Sequence, residues 1–266
     1  MLRQICAGLA WVSVAAAGPS DSPNPHAGLV MRLSLHAGQR FVQRADVEDR
    51  QAWLLPAARL AAFRRAGAVI NEDRRTTLVS HLTVLHATAS SALIDGTTVV
   101  TTTDVPRRQT LSTHGSARFT LDFNNRLEHG GLLEVADAAM ADLPAIPVNV
   151  GGSWTTTESV TTDLGSGRLV VRHTVADVRG GIVQVDVSGA GSITGAEKDL
   201  PKLLPGTISL RGSAWFDANK GYFFLESYAI HDVLAKPAGS ERIGYDETQT
   251  IDVVTYAAFT VPAPAP

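Results

Sequence analysis

A glycine-rich segment in the second half of the chain has the residue types of a nucleotide-binding loop. Gly189-Ala-Gly191-Ser-Ile-Thr-Gly195 follows the apolar run Ile182–Val187, as a dinucleotide-binding loop follows its strand. In that fingerprint, however, the third glycine comes one residue earlier and a long helix follows. Pro201 and Pro205 interrupt the segment that would have to form the helix. The sequence therefore predicts a glycine-rich hairpin connection and no dinucleotide cofactor.

The histidines do not have the spacing of a metal site. None of the eight forms an H-E-x-x-H pair or an i, i+2 pair, and the only cysteine is Cys6. His173 lies in the same alternation as Leu169, Val171 and Val175, which predicts a histidine at the edge of the core with a satisfied hydrogen bond. We predict no metal and no cofactor. A metal site assembled from residues distant in sequence is the alternative.

Nucleophilic and acid–base motifs are also absent from the sequence. There is no G-x-S-x-G or S-x-x-K motif. The carboxylates Asp217, Glu226, Asp246 and Glu247 are scattered, and their spacing does not define an acid–base pair. The segment 217–221 resembles a fragment of an EF-hand loop, but without the terminal Glu it is better explained as a hairpin turn. We therefore predict that the protein is not an enzyme; an enzyme with a dispersed site is a third hypothesis.

Aromatic residues are the better candidates for binding. Phe41 and Trp154 each stand three residues after a glycine, so each is expected to anchor the core where a strand leaves a turn. Alternatively, such side chains line an apolar cavity. On the second interpretation the candidate ligand-binding residues are Phe41, Trp53, Phe63, Trp154 and Trp215.

Three short segments occur twice in the same order, which indicates an internal repeat of a β-rich unit. The number of residues between a segment and its match is smaller for the second pair than for the first, so the first copy must contain extra residues. A helical insert near 52–68 accounts for them. The alternative is that Thr/Val/Gly-rich strands resemble each other by composition alone. The matched segments are Leu33–Phe41 with Ile146–Trp154, Leu78–Val84 with Leu169–Val175, and Thr110–Phe119 with Thr207–Phe216.

The remaining pattern predicts many strands and little helix. In the insert, Trp53, Leu60 and Phe63 recur at helical spacing, with a start near Pro56 and a C-cap at Gly67. A second brief helix is expected over 134–141, and Asp95-Gly96 predicts a hairpin turn.

Ten or more strands joined by short turns predict a mainly β fold. We expect a strongly curved antiparallel sheet, half-barrel or barrel-like, because a sheet with this many strands curls or splits into two packed layers. It would be built from two similar β-rich halves, 29–142 and 143–260, with one or two short helices, one of them covering an opening of the sheet.

Composition and the N-terminus indicate an exported globular protein. The 266 residues carry a net charge of -3, with 44% hydrophobic and 18% charged residues, and this balance disfavours nucleic-acid binding. Residues 1–17 resemble a signal peptide: Arg3, an apolar run and Ala15-Ala16-Ala17, with cleavage near Ala17. A disordered leader (18–28) and a Pro/Ala tail (261–266) complete the expected organisation. The apolar run is too short for a transmembrane helix, so we predict no transmembrane segment and an extracytoplasmic location, periplasmic or secreted.

The segment Leu143-Pro144-x-x-Pro147-Val148-x-x-Gly151-x-x-Trp154 resembles a signature of an uncharacterised family of secreted bacterial proteins. That family shares the order of a glycine–aromatic hairpin, paired strands and a Gly-Thr strand hairpin such as Gly206-Thr207. More loosely, the architecture resembles the LolA/LppX-like periplasmic lipoprotein carriers, whose curved sheet and capping helices enclose a lipid. The second resemblance implies a lipid-binding concavity, although this chain has no lipobox cysteine. Neither resemblance assigns a functional residue.

Besides the enzyme with a dispersed site, we consider two non-enzymatic functions. The first is a non-enzymatic protein that binds a hydrophobic or amphiphilic, lipid-like ligand in the concavity of the sheet, since apolar concave sites need no catalytic motif. The alternative is an envelope interaction or scaffold module with an envelope protein as partner and no small-molecule ligand.

Overall fold

The computed structural model describes residues 28–32, 35–88, 90–122, 143–161, 166–195, 204–238 and 241–258. The predicted signal peptide, the tail and the expected helix over 134–141 lie outside these residues, as does the leader apart from Gly28.

The described residues form ten strands and one helix. In chain order these are β1 (Arg40–Leu54), α1 (Ala57–Arg65), β2 (Asn71–Ala87), β3 (Ser91–Asp104), β4 (Gln109–Asp122), β5 (Ser153–Thr161), β6 (Ser166–Arg179), β7 (Ile182–Gly195), β8 (Leu204–Asp217), β9 (Tyr222–Ala238) and β10 (Glu241–Ala257).

All ten strands belong to one antiparallel sheet, in the order β4-β3-β2-β1-β10-β9-β8-β7-β6-β5. Strands that follow each other in sequence are paired, except that β1 pairs with β10 and that β4 and β5 are the two edges of the described sheet. The prediction of a mainly β chain with one large antiparallel sheet is confirmed. Within the described residues, the sheet is not closed into a barrel.

One face of the sheet, called here the buried face, holds the core. Burial alternates along the inner part of most strands, so that Ala45 and Val47 on β1 and Leu78 on β2 are buried while their sequence neighbours are half-buried or exposed. Val100 on β3 and Val160 on β5 share one hydrophobic cluster, although these strands are far apart in the sheet order. The core is therefore continuous across the buried face of the sheet.

Helix α1 is shorter than the predicted insert. Pro56 stands directly before it, and the backbone N–H of Gly67 bonds to the carbonyl of Arg64 at 3.1 Å, so both predicted ends are close to the observed ones. Trp53, however, belongs to β1, because the strand pairing with β10 extends to Leu54. None of the helix residues is buried, so the expectation that this helix covers an opening of the sheet is not met.

Two expected connections are wrong. Asp95-Gly96 lies inside β3, opposite Thr83 and Leu82, and the chain turns earlier, where Thr88 and Ser91 are joined by a backbone hydrogen bond of 2.8 Å. The glycine-rich segment 189–195 lies inside β7 and pairs with β6 and β8. Glycines here occupy paired strand positions where neighbouring backbones come close, rather than turns.

The same turn precedes β1 and β5. Gly38 and Gly151 have φ of 84° and 81°, and their N–H groups bond to the carbonyls of Val84 and Val175 at 2.8 and 2.7 Å. Each partner strand also has an irregular register just after that valine. The segments matched in the sequence therefore adopt the same local geometry.

Candidate functional site

The five aromatic candidates do not form one site. Phe41 is buried and packs edge-on against Tyr222, with ring centroids 5.9 Å apart. Trp53 packs on Tyr245 at 4.5 Å, and Trp154 stacks on His173 at 5.0 Å. These three pairs lie on the buried face but apart from one another: Phe41 and Trp53 are near opposite ends of β1, and Trp154 is on β5.

The other two aromatic candidates lie elsewhere. Phe63 is on helix α1 with 46% of its surface exposed. Trp215 is half-buried on the face of β8 opposite to the buried Ala214 and Phe216. The alternation of β8 therefore directs Trp215 away from the buried face.

The buried face contains a polar region that the aromatic pattern did not indicate. It lies where β9, β10, β1 and β2 are adjacent, and it consists of two neighbouring rows of cross-strand partners. The first row is Asp232, Glu247, Gln51 and Glu72, and the second is Gln249, Asp49, Arg74 and Asp104. We call these residues the polar rows.

Glu247 is the most deeply buried member of the polar rows. Only 1% of its surface is exposed, and the side-chain amide of Gln249 donates to its Oε1 at 3.3 Å. Burial raises the pKa of Glu247 to about 10, and the negative charges of Asp49 and Asp232 act in the same direction. The carboxyl group is therefore protonated at neutral pH and is available as a hydrogen-bond donor.

Arg74 supplies the positive charge of this region. Its guanidinium lies 3.9 Å from a carboxylate oxygen of Asp49, the residue opposite it on β1, and it also contacts Glu72. The polar rows contain this one Arg and five acidic side chains, Asp49, Glu72, Asp104, Asp232 and Glu247. The polar rows therefore contain more hydrogen-bond acceptors than donors. The protonated Glu247 reduces this difference, because its O–H group is a donor.

Polar pairs continue along the buried face beyond the polar rows. Gln43 donates to Thr255 at 3.1 Å, and Ser80 and Thr98 are joined at 3.0 Å. The Tyr228 hydroxyl donates to Glu226 at 3.0 Å, and burial beside that carboxylate raises the pKa of Tyr228 well above its usual value. These bonds satisfy polar groups that would otherwise destabilise a buried surface.

The other part of the buried face is apolar. On β6, β7 and β8 it carries Leu169, Val171, Val183, Val185 and Phe216, all almost fully buried. His173 interrupts this region beneath Trp154. Burial lowers the pKa of His173 to about 4, so the imidazole is neutral, and its Nε2 atom makes no hydrogen bond. The position of His173 among core residues agrees with its alternation in the sequence, but the predicted hydrogen bond is not found at Nε2.

Sequence reasoning named Glu226 and Glu247 only among scattered carboxylates and did not predict their burial. One pattern could have found them: Glu226, Ile230 and Asp232 share the parity of buried positions on β9. Asp246, by contrast, lies on the opposite face beside His231, at 3.0 Å. Asp217 accepts two bonds from backbone N–H groups in the turn before β9, where the sequence predicted a hairpin turn.

Neither metal ligation nor membrane crossing by a helix is indicated in the described part of the chain. There, no group of three or more His, Cys, Asp or Glu side chains is arranged to hold a metal ion. No helix in the described residues has the length and hydropathy needed to cross a membrane.

Comparisons with known proteins identify no family. No family model matches the chain, and no curated protein matches it. Among solved structures, the outer membrane protein AlkL in DMPC lipid bilayers matches at 11% identity over 93% of this chain and 100% of that chain, with a TM-score of 0.23. The pilotin–secretin AspS–GspD complex of ETEC matches at 10% identity over 85% and 51%, with a TM-score of 0.19. An acetoacetate decarboxylase-like enzyme from Sphingomonas wittichii RW1 matches at 12% identity over 91% and 98%, with a TM-score of 0.12. Such scores do not support a functional assignment.

Proposed function

We propose that this protein binds an amphiphilic, lipid-like ligand on the buried face of a strongly curved sheet, outside the cytoplasm and without catalysing a reaction. The main support is the division of that face into an apolar region on β6–β8 and a polar region along β9, β10, β1 and β2. A ligand with an apolar chain and a polar group matches both regions at once.

The chemistry of the polar rows indicates which polar group would bind. Acidic side chains outnumber the single Arg74, so an anionic group would be repelled. A group that donates hydrogen bonds, such as a hydroxyl, amide or amine, would find acceptors at Asp49 and Asp232. The neutral Glu247 carboxyl can donate as well as accept a hydrogen bond. An ester or alcohol oxygen of the ligand, acting as acceptor, would therefore also be bound.

The position of the polar rows along the strands also fits this function. They lie between the Trp53–Tyr245 pair, toward one end of the strands, and the buried Val47 and Ile251. Aromatic side chains with a polar edge suit the boundary between an apolar and a wet environment. The polar group of the ligand would therefore lie near that end of the sheet, and its apolar chain would extend along the face.

Curvature, export and the lack of catalysis belong to the same proposal. The proposed curvature rests on the size of the sheet, since an open sheet of ten strands is expected to curl, and on the single cluster of buried side chains across one of its faces. Export rests on the N-terminal signal pattern, and the non-enzymatic role rests on the absence of a catalytic motif from the sequence.

Native mass spectrometry of the protein purified gently from a bacterial periplasm tests the binding function. We expect an adduct of lipid mass that disappears on organic extraction. Glu247→Leu should reduce the adduct several-fold, whereas Glu247→Gln should retain it, because glutamine keeps the hydrogen-bonding groups. A protein that stays free of adduct after incubation with envelope lipids would contradict the proposal.

One observation favours the alternative, an envelope interaction module. The face opposite to the buried one exposes Val254 (40%) and Tyr256 (48%) on β10, and Val42 lies opposite Tyr256 on β1. An exposed apolar patch is typical of a protein-binding surface. If this is the function, an envelope protein should co-purify with the wild-type chain and be lost from a Val254→Ser/Tyr256→Ser variant. A Thr250→Ala variant, changed on the same face of β10, is the control.

A further inference from the structure

We propose that two copies of this chain associate through β4, pairing edge to edge in antiparallel orientation about a two-fold axis at Gly115. The inference is independent of the ligand. It rests on the exposure of β4 and on the match of the β4 sequence with itself.

β4 is an unusually open edge strand. Every residue from Gln109 to Arg118 is exposed, on both faces, and Leu111 has 49% of its surface exposed. In the described sheet β4 pairs only with β3, so the hydrogen-bonding groups of its other edge are not used by another strand of that sheet. Edge strands usually carry Pro or Lys, or are short, which prevents further pairing. β4 has fourteen residues and neither Pro nor Lys.

Gly115 lies at the middle of this strand, and among the described residues no contact requires a glycine there. At five other strand glycines an added Cβ would collide with the backbone of an adjacent strand, which explains why glycine is needed there: Gly167, Gly191, Gly206, Gly212 and Gly244. At Gly115 an added Cβ would meet nothing within 4 Å. A side chain can therefore be placed at Gly115 without disturbing the packing of the chain itself, which makes this position a suitable probe of the proposed two-fold axis.

When two antiparallel copies of β4 are paired with Gly115 opposite Gly115, the side chains that face each other are compatible. On the side facing the buried face, Leu111 would lie opposite Phe119 of the second copy, and Thr113 opposite its Ala117. On the other side Ser112 would lie opposite Arg118 and His114 opposite Ser116. No like charges face each other, and the exposed Leu111 gains an aromatic partner, the kind of cross-strand pair that stabilises sheets. An isologous two-fold interface requires this self-complementarity.

The other edge strand is less suited to such pairing. β5 has nine residues, Trp154 and Thr156 on it are half-buried, and Val160 is buried. A dimer through β4 would extend the sheet to twenty strands across two copies, with one short strand at each outer edge. Since one strand pair is a small interface, the dimer should dissociate on dilution.

Sedimentation equilibrium of the full exported chain over a range of concentrations tests the dimer. We expect the wild type and Gly115→Ser to change from monomer to dimer as concentration rises. Gly115→Glu and Gly115→Lys should each remain monomeric, because like charges meet at the two-fold axis. Mixing these two variants should restore the dimer, because opposite charges then face each other. A wild type that is monomeric at all concentrations, or a Gly115→Glu variant that dimerises like the wild type, would overturn the proposal.

Cysteine cross-linking tests the register even if a charged variant folds poorly. In a Cys6→Ser background the chain has no other thiol. Gly115→Cys should form a disulfide-linked dimer on mild oxidation, because residues directly opposite in an antiparallel pair have Cα atoms about 4.5–5.5 Å apart, within reach of a disulfide. Ser112→Cys is the control, since its own counterpart would lie six residues away, roughly 20 Å. Equal cross-linking of both variants, or of neither, would contradict the proposed register.

Discussion

Glu247 makes a prediction at the scale of a single residue. Its pKa rises from 4.5 to about 10 in the folded protein, so between these values the folded chain retains a proton that the unfolded chain has released. The contribution of Glu247 to the free energy of unfolding should therefore decrease as pH rises above 4.5. Glu247→Gln should remove this dependence and increase the stability at pH 8 by more than ~1 kcal/mol. Urea denaturation between pH 5 and 9 measures both effects.

The control for this prediction lies on the same strand. Asp252 is exposed on the opposite face of β10, so Asp252→Asn should leave the pH dependence unchanged. If Glu247→Gln showed the same slope as the wild type, the carboxyl group would have to be ionised in the folded state. Asp49 and Asp232 would then face a third negative charge.

His173 makes the opposite prediction. Its pKa falls from 6.5 to about 4 on folding, because the buried imidazole is not protonated readily. The unfolded chain takes up a proton first as pH falls, so the contribution of His173 to stability should be lost progressively from pH 6.5 to 4, by roughly 3 kcal/mol in total. His173→Phe keeps the stacking on Trp154 and should remove this loss.

Denaturation curves between pH 4 and 7 test the prediction for His173. The exposed His81 on β2 provides the control, because His81→Phe leaves the buried face unchanged. If the wild type and His173→Phe lost the same free energy of unfolding between pH 6.5 and 4, another group would have to titrate in this range. Between about pH 4.5 and 6.5 the contributions of His173 and Glu247 have opposite slopes and nearly cancel, so together they predict a broad stability maximum in this range. Each single variant should instead show a one-sided slope there.

Predictions for single residues were correct where the alternation of side chains along a strand is sufficient to determine burial. His173 is on the parity of Leu169 and Val171, and it is buried as that pattern predicts. The polar rows could not be predicted in this way, because Asp49, Arg74 and Glu247 are adjacent only through the pairing of β1 with β2 and β10. That pairing joins the beginning of the chain to its end, and local sequence carries no information about it.

At the scale of elements, the repeated turns before β1 and β5 make the next prediction. Gly38 and Gly151 have φ of 84° and 81°, where an L side chain is strained although no atom blocks its Cβ. Gly38→Ala and Gly151→Ala should each cost about 1 kcal/mol of stability, by similar amounts because the turns have the same hydrogen bonds. Urea denaturation at low protein concentration measures both.

Gly115→Ala is the matched control for the two turns. Gly115 is not among the glycines with positive φ and has room for a Cβ, so this substitution should be neutral or slightly stabilising. A large difference between Gly38→Ala and Gly151→Ala would show that the two turns are not equivalent, and would weaken the case for an internal repeat.

The elements also show what a sequence pattern can and cannot locate. The matched segments Leu78–Val84 and Leu169–Val175 fall on β2 and β6, each the second strand of its half. Asp95-Gly96 misled because its glycine occupies a buried, paired position in β3 instead of a turn. The apolar alternation alone predicts strands over Tyr222–Ile230 and Ile251–Phe259. β9 continues to Ala238 and β10 begins at Glu241, because acidic residues such as Asp232 and Glu247 are also on the buried face and interrupt the apolar pattern.

On the scale of the whole molecule, the pairing of β1 with β10 determines the architecture. Phe41 lies opposite Ala257, and the backbone N–H of Ala258 donates to the carbonyl of Arg40 at 2.9 Å. The two ends of the described sheet strands therefore meet in the middle of the sheet, while the edges β4 and β5 lie at the centre of the chain. A circular permutation can exchange these positions without changing the order of strands in space.

We expect a permutant that starts at Leu143, continues through β10, and joins Ala258 to Gly28 by a flexible linker of roughly twelve residues to fold. Its chain would end after residue 142, and its strands β5 to β10 and β1 to β4 would follow one another as an uninterrupted series of neighbours. Because every strand pair is retained, circular dichroism should be unchanged and the single cooperative unfolding transition should remain within about 2 kcal/mol of the wild type. A permutant opened inside β8, between Leu210 and Arg211, is the control and should not fold, since it breaks a strand paired on both sides. If the Leu143 permutant failed to fold while retaining all strands, the pairing of β1 with β10 could not be the contact that unites the two halves.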